Sequence, residues 1–211
     1  MLKIVSIIFG NSIISYRIFS VISIALLGIL GYTHIRKDFG EKAGAIFSLL
    51  TYTLPANIVY SSEIRMYGWA MLFVVIMGIY AYRIFKNKDV LLENKLNKRD
   101  IKNWIIFAIF SLISAYTHYY GLMSAGIINI LLFIWLLKDA IKQKKFTINL
   151  KAFVIQAIIE VVLYVPWIIS LLLQMSQVSN GFWIGVKFPD TLIEIFTFQF
   201  TGNLEGTYYI N

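Results

Sequence analysis

Glu63 and Arg65 stand in SSEIRMYGW, Ser61 to Trp69, between two long apolar runs. A carboxylate and a guanidinium beside hydrocarbon are costly unless they pair, reach water or bind something. Arginine's planar fork makes paired, charge-assisted hydrogen bonds to phosphate, so Arg65 with Tyr67 beside it is a candidate phosphate site. A plainer reading stands next to it. Glu63 at a helix start complements the positive end of the helix dipole, Ser61 or Ser62 caps it, and Arg65 snorkels to the interface. A second cluster lies in AYTHYYG, Ala115 to Gly121. Tyr119 and Tyr120 fit an interfacial aromatic belt. His118 also offers a donor to an anion or a carrier of protons. Arg17, near the start of the first apolar run, is placed to snorkel or to pair with a lipid phosphate. Glu160 is a carboxyl within an apolar run, which marks a functional candidate. Gln156 is one turn earlier on the same face, where it can hydrogen-bond a protonated Glu160, and we favour that structural role.

The elements that hold these residues follow from composition. The chain has 211 residues, 59% hydrophobic and 14% charged, with a mean hydropathy of +0.73. Soluble domains hold about 45–50% apolar and about 25% charged residues. The chain is therefore read as an all-α polytopic membrane protein. With no cysteine it has no disulfide, thiol nucleophile or thiolate metal site. A helix needs roughly 20 apolar residues to cross the hydrocarbon core. Six runs fit or nearly fit: Ser12–Tyr32, Ala43–Tyr60, Met66–Phe85, Trp104–Tyr119, Leu122–Leu137 and Ala152–Gln174. The fourth and fifth are read as two spans joined by a tight hairpin, because one helix of that length would overshoot the bilayer. Pro166 and Trp167 are read as a kink and an interfacial anchor in the sixth.

Lysine and arginine orient the spans. Fifteen of the nineteen flank the first, third and fifth runs on one side. Positive charge collects in cytoplasmic connections, so both chain ends and the hairpins at SSEIRMY and THYYG are expected outside. The net charge of +8 is then a topology signal that also favours anionic inner-leaflet lipid. A nucleic-acid surface is set aside, because the basic loops lack interleaved aromatics and any recognition motif. His34 and His118 fall at opposite faces and cannot share a metal. Residues 1–175 are read as the transmembrane domain and 176–211 as an external segment. In that segment Asn180-Gly181 signals a turn, and Pro189 and Asp190 start a short interfacial helix too short to span. The first span entering from outside, and a tail ending in an external segment, lead us to expect a piece of a larger protein or a shortened reading frame.

Several stretches, in order, carry a resemblance: FGNSIISYRIFS, FGEKAGAIFSLL, LPANIVYSSEIRMYGWAML, SAYTHYYGLM, and GFWI followed by a proline-led helix. Together they cover roughly Phe9 to Phe200. In this the chain resembles the integral-membrane glycosyltransferases of the GT-C superfamily. It is most similar to the dolichyl-phosphate-mannose–protein mannosyltransferase-like branch, which includes the aminoarabinose transferase of lipid A. The resemblance implies inverting transfer of a sugar, outside the cytoplasmic membrane, from a polyprenyl-phosphate donor to a lipid, glycan or protein. It also implies a catalytic carboxylate in a first external loop, where some members place a divalent cation. That loop precedes the part matched at Phe9, so no catalytic residue is assigned. Glu63 matches the family's glutamate and is carried over as a site-shaping residue that orients and neutralises Arg65. The expected substrate-binding set is Glu63, Arg65, Tyr67, His118, Tyr119 and Arg17. Two rivals are a transporter or flippase component and a catalytically inactive membrane fragment. Internal repeats, which a transporter often shows, are not evident.

Overall fold

The computed structural model describes residues 2–87, 95–179 and 190–202. Among these residues every regular element is a helix. The helices are α1 (Leu2–Phe9), α2 (Ile13–Leu30), a π-helical segment (Gly31–Ile35), α3 (Arg36–Phe39), α4 (Glu41–Thr53), α5 (Pro55–Ser62), α6 (Tyr67–Lys86), α7 (Lys98–Thr117), α8 (Tyr119–Lys142), α9 (Ile148–Ser179) and α10 (Asp190–Thr201). Four stretches are long and apolar enough to cross a membrane: Ile13–Phe39, Tyr67–Lys86, Tyr119–Lys142 and Ile148–Ser176. A fifth is added if the bent pair α4 and α5 counts as one span. The chain is an all-α, multi-pass membrane protein.

The run Trp104–Tyr119 departs from the expected six. All but its last two residues lie in α7, whose first five residues include Lys98, Arg99, Asp100 and Lys102. From Trp104 to Thr117 the helix rises only about 21 Å, against a core of about 30 Å. The charged turn belongs to the helix because Asn97 and Asp100 form a capping box. Asn97 Oδ1 accepts from the Arg99 and Asp100 amides at 2.9 and 3.0 Å, and Asp100 Oδ2 accepts from the Asn97 amide at 3.0 Å. The turn at Asn180-Gly181, Pro189 and the GFWI stretch lie outside the described residues. Asp190 does open a helix, α10.

Contacts group the chain into two units: residues 1–72 with 173–211, and residues 73–172. The boundaries fall within α6 and α9. In the first unit α2 packs on α4 and α5, and α10 packs on α5. The first connection is far shorter than its basic residues suggest. Helix runs on through the π segment to Phe39, and Gly40 at φ 94° turns the chain directly into α4. The return is close because Gly31 and Gly44 face each other. A Cβ on Gly31 would stand 2.7 Å from the Gly44 carbonyl oxygen, and one on Gly44 would stand 2.6 Å from the Gly31 carbonyl oxygen. Ser48 Oγ and Tyr52 Oη donate across the same seam to the Gly28 and Ala25 carbonyls, at 2.8 and 2.9 Å.

Pro55 sets the bend within the second run. It holds Leu54 extended, at φ −64° and ψ 123°, and α4 and α5 meet at 56°. Proline has no N–H for the carbonyl four residues back, that of Thr51. The buried Asn57 side chain supplies it, donating from Nδ2 to the Thr51 oxygen at 3.0 Å.

In the second unit α7 and α8 form a hairpin around a single extended residue, His118. The hairpin agrees with reading two helices there rather than one kinked helix, but only α8 is among the stretches long and apolar enough to span. Gly121 lets the helices close, since a Cβ there would stand 2.4 Å from the Ser114 carbonyl oxygen. Met77, Phe107 and Leu136 are fully buried. Trp104 Nε1 donates to Asn149 Oδ1 at 3.3 Å, tying α7 to α9. Helix α9 continues through Pro166 without ending. Tyr116 Oη donates to the nearby Leu163 carbonyl at 2.6 Å, where proline disturbs the backbone ladder.

Candidate functional site

The stretch from Ser61 to Met66 is a helix break. Ser61 and Ser62 close α5 rather than open a helix, and their hydroxyls donate back to the Ile58 and Val59 carbonyls at 2.7 and 2.8 Å. Glu63 follows in extended conformation, at φ −75° and ψ 136°. The next helix begins only at Tyr67, with the Met66 carbonyl accepting from the Ala70 amide at 2.9 Å. The reading of Glu63 as a capped helix start is therefore corrected. Glu63 stands at the C-terminal end of α5, where the dipole does not favour a carboxylate.

Arg65 is exposed in this break. Its Nη1 donates to Tyr67 Oη at 3.1 Å, and its guanidinium carbon lies 5.8 Å from the Tyr67 ring centre. Glu63 is half-buried and forms no ion pair, since the one ion pair among the described residues joins Arg36 and Glu41. Tyr67, rather than Glu63, meets the cation within this stretch. An aromatic row leads away from it: Tyr67 meets Tyr60 at 5.1 Å, and Tyr60 meets Phe198 of α10 at 5.5 Å. Phe198 is only 7% exposed, whereas Leu192, Ile193, Ile195, Phe196 and Phe200 of the same helix are open. Helix α10 thus seats one aromatic side chain on the unit and presents an apolar face outward.

Arg17 lies at the same end of this unit. Trp69 Nε1 donates to the Phe19 carbonyl at 3.2 Å and the two rings stack at 4.6 Å. The early turns of α2 and α6 are thereby held side by side, and Arg17 is exposed two residues before Phe19. Arg17, Arg65 and Tyr67 are brought to one end, with Glu63 in the same break but not joined to Arg65.

His118 and Tyr119 belong to the other unit. His118 is the N-cap of α8: it is extended, and its Nδ1 accepts from the Tyr120 amide at 3.2 Å. Its ring stacks on Tyr120 at 5.2 Å. An accepting Nδ1 has its lone pair engaged, so the ring has a structural task that the sequence reading did not foresee. Tyr119 is exposed in the first turn of α8.

Glu160 is met by two side chains: the Gln156 amide one turn earlier, as expected, and Ser111, whose Oγ donates to Glu160 Oε2 at 3.1 Å. Ser111, Asn129 and Tyr164 around Glu160, and Tyr60 and Phe198 beside Arg65, are residues that sequence reasoning missed. Each is polar or aromatic on an otherwise unremarked apolar helix, and only helix pairing brings them to their partners. Among the described residues no three His, Asp or Glu side chains gather to hold a metal ion.

Compared with protein-family models, curated proteins and solved structures, the chain finds no match.

Proposed function

We propose that this chain acts as, or as part of, an integral-membrane glycosyltransferase of the GT-C type, moving a sugar from a polyprenyl-phosphate donor. The order of motifs from Phe9 to Phe200 supports that family. The observation that carries the reading is Arg65, an exposed cation in a helix break at the end of an apolar span, beside the aromatic row Tyr67–Tyr60–Phe198. A polyprenyl-phosphate sugar has its tail in lipid and its phosphate at the interface. An exposed guanidinium at the rim of an apolar, aromatic surface suits both parts. In the reaction, an acceptor hydroxyl attacks the anomeric carbon. The bond from that carbon to the phosphate oxygen breaks, and the polyprenyl phosphate leaves with the electron pair. The acceptor's proton passes to a base, a role we assign to none of the described residues. Arg65 stabilises the phosphate as its charge grows, and Tyr67 fixes the guanidinium. Arg17 is a second cation for the same headgroup. The orientation that accompanies this reading puts the break outside the cytoplasmic membrane and the lysine-rich connections inside.

The test is incubation of the purified protein with radiolabelled polyprenyl-phosphate sugars and membrane lipid, glycan and protein acceptors. Label should move to an acceptor, and Arg65→Ala should lower the rate about tenfold or more while the protein stays folded. Full transfer by Arg65→Ala would refute the role of the arginine, and no transfer by the unaltered protein would refute the enzyme.

One observation favours a second reading, a translocator of lipid-linked sugars. The break at Leu54–Pro55 makes α4 and α5 a discontinuous helix, a device transporters use. Movement of the labelled donor across vesicle membranes, with its sugar–phosphate bond intact, would support that reading over transfer.

A further inference from the structure

Helices α6 and α8 leave a groove between them, with a volume of about 310 Å³. Its lining belongs wholly to the unit of residues 73–172. Gly78, Ala81 and Tyr82 line it from α6, and Ile128 and Leu131 from α8. Small residues on membrane helices usually let backbones approach, as Gly31 and Gly44 do. Here they do not, since a Cβ on Gly78 meets nothing within 4 Å. The two helices are bridged instead at one end of the groove, where the Phe85 and Trp135 rings meet at 4.5 Å. Phe85 and Leu131 are exposed, so the groove is open along its side. Both of its walls are stretches long and apolar enough to span, which puts hydrocarbon rather than water beside it.

The bridged end is charged. Lys86 is one turn beyond Tyr82, and its Nζ lies 5.5 Å from the Tyr82 ring centre. This cation–π arrangement holds the ammonium at the mouth of the groove. On α8, Lys138 and Lys142 continue the face of Ile128, Leu131 and Trp135 in steps of three and four residues, and both are exposed. Asp139 lies on the same face, where its Oδ2 accepts from Gln143 Nε2 at 2.9 Å. Three ammonium groups therefore stand against one carboxylate. Gly78 and Lys86 are eight residues apart, so the apolar floor reaches about 12 Å below the charge. Lysines at helix ends alone express topology and the helix dipole. What sets this pair of helices apart is the unfilled apolar groove that leads down from them.

We propose that this groove binds an anionic phospholipid. One acyl chain lies along Gly78, Ala81 and Leu131, and the phosphate meets Lys86 and Lys138. Lysine binds phosphate as a point charge, and the second negative feature of the pattern, a headgroup without a cation of its own, suits three lysines better than a zwitterion does. A second copy of the chain, docked here by a two-fold axis, would set the same lysines against each other. The proposal is independent of the sugar-transfer reading: Arg65 precedes the first turn of α6, whereas Lys86 closes its last.

The test uses the full chain in dodecyl maltoside micelles, with thermal unfolding followed against added dioleoylphosphatidylglycerol, dioleoylphosphatidylcholine or inorganic phosphate. Phosphatidylglycerol should raise Tm in a saturable way, at a concentration at least about tenfold lower than phosphatidylcholine requires. Inorganic phosphate, which has no chain for the groove, should have no effect over the same range. Lys86→Gln with Lys138→Gln should weaken the phosphatidylglycerol response at least about tenfold. Lys37→Gln with Lys42→Gln removes the same charge from the other unit and should leave the response unchanged. Gly78→Leu, whose side chain grows into the open groove, should weaken it at least about tenfold with both lysines in place. Equal responses to the two lipids would overturn the proposal, as would an undiminished response in Gly78→Leu or in the Lys86 and Lys138 variant. Equal losses in the two lysine pairs would show attraction to overall charge and overturn it as well. A response to inorganic phosphate matching that to phosphatidylglycerol would overturn the lipid as ligand. A concentration-dependent dimer that Gly78→Leu abolishes would assign the groove to a second copy and overturn it too.

Discussion

Pro55 removes a donor from the Thr51 carbonyl, and Asn57 puts one back. Replacing Asn57 by Ala leaves that carbonyl unmet at the buried bend. The loss should be about 1–3 kcal/mol, read as a lower Tm in detergent, with Asn57→Gln unable to restore it fully because its longer arm changes the reach. At the same scale, Arg65→Lys keeps the charge and loses the fork. Its transfer rate should fall between those of the unaltered protein and Arg65→Ala. Tyr67→Phe removes the hydroxyl that the guanidinium meets and should raise the KM for the lipid donor more than it lowers kcat. The chemistry at Arg65 was legible because type and position alone suggest phosphate. Its partner was not. Two residues of sequence separation bound the distance from Glu63 to Arg65, but not the side-chain directions once α5 stops at Ser62. His118 shows the same limit: a titratable ring reads as chemistry until its Nδ1 is seen to hold the Tyr120 amide.

Helices reach beyond the apolar runs that announce them. Hydropathy gives the middle of a span, whereas capping groups give its ends. Asn97 and Asp100 draw four charged positions into α7, and the π segment carries helix past Tyr32 to Phe39. The bend at Leu54 is visible in Pro55, but its 56° angle depends on how α5 packs against α2. Close helix crossings were illegible, because a glycine in an apolar run does not name the backbone it faces. They are testable as elements. Gly44→Ala puts a methyl against the Gly31 carbonyl and should cost about 1–3 kcal/mol. Gly78→Ala, where a Cβ meets nothing within 4 Å, should be neutral or stabilise through better helix propensity, by up to about 1 kcal/mol. Equal Tm values for the two variants would show that the Gly31–Gly44 crossing is not tight.

For the whole molecule, composition alone requires a multi-pass helical membrane protein, and the apolar helices agree. The grouping of contacts into two units is not written in hydropathy, since the same apolar period serves any neighbour. Charge asymmetry is written there, and the proposed orientation rests on it. The central claim is that the break between α5 and α6 opens outside the membrane, where Arg65 meets a lipid-linked phosphate. The chain has no cysteine, so single introduced cysteines can report it directly. Ser62→Cys and Lys144→Cys, both at exposed positions, would be treated in intact cells with a membrane-impermeant maleimide. The account predicts labelling of the first and protection of the second until the cells are opened. Protection of position 62 with labelling of position 144 would contradict it.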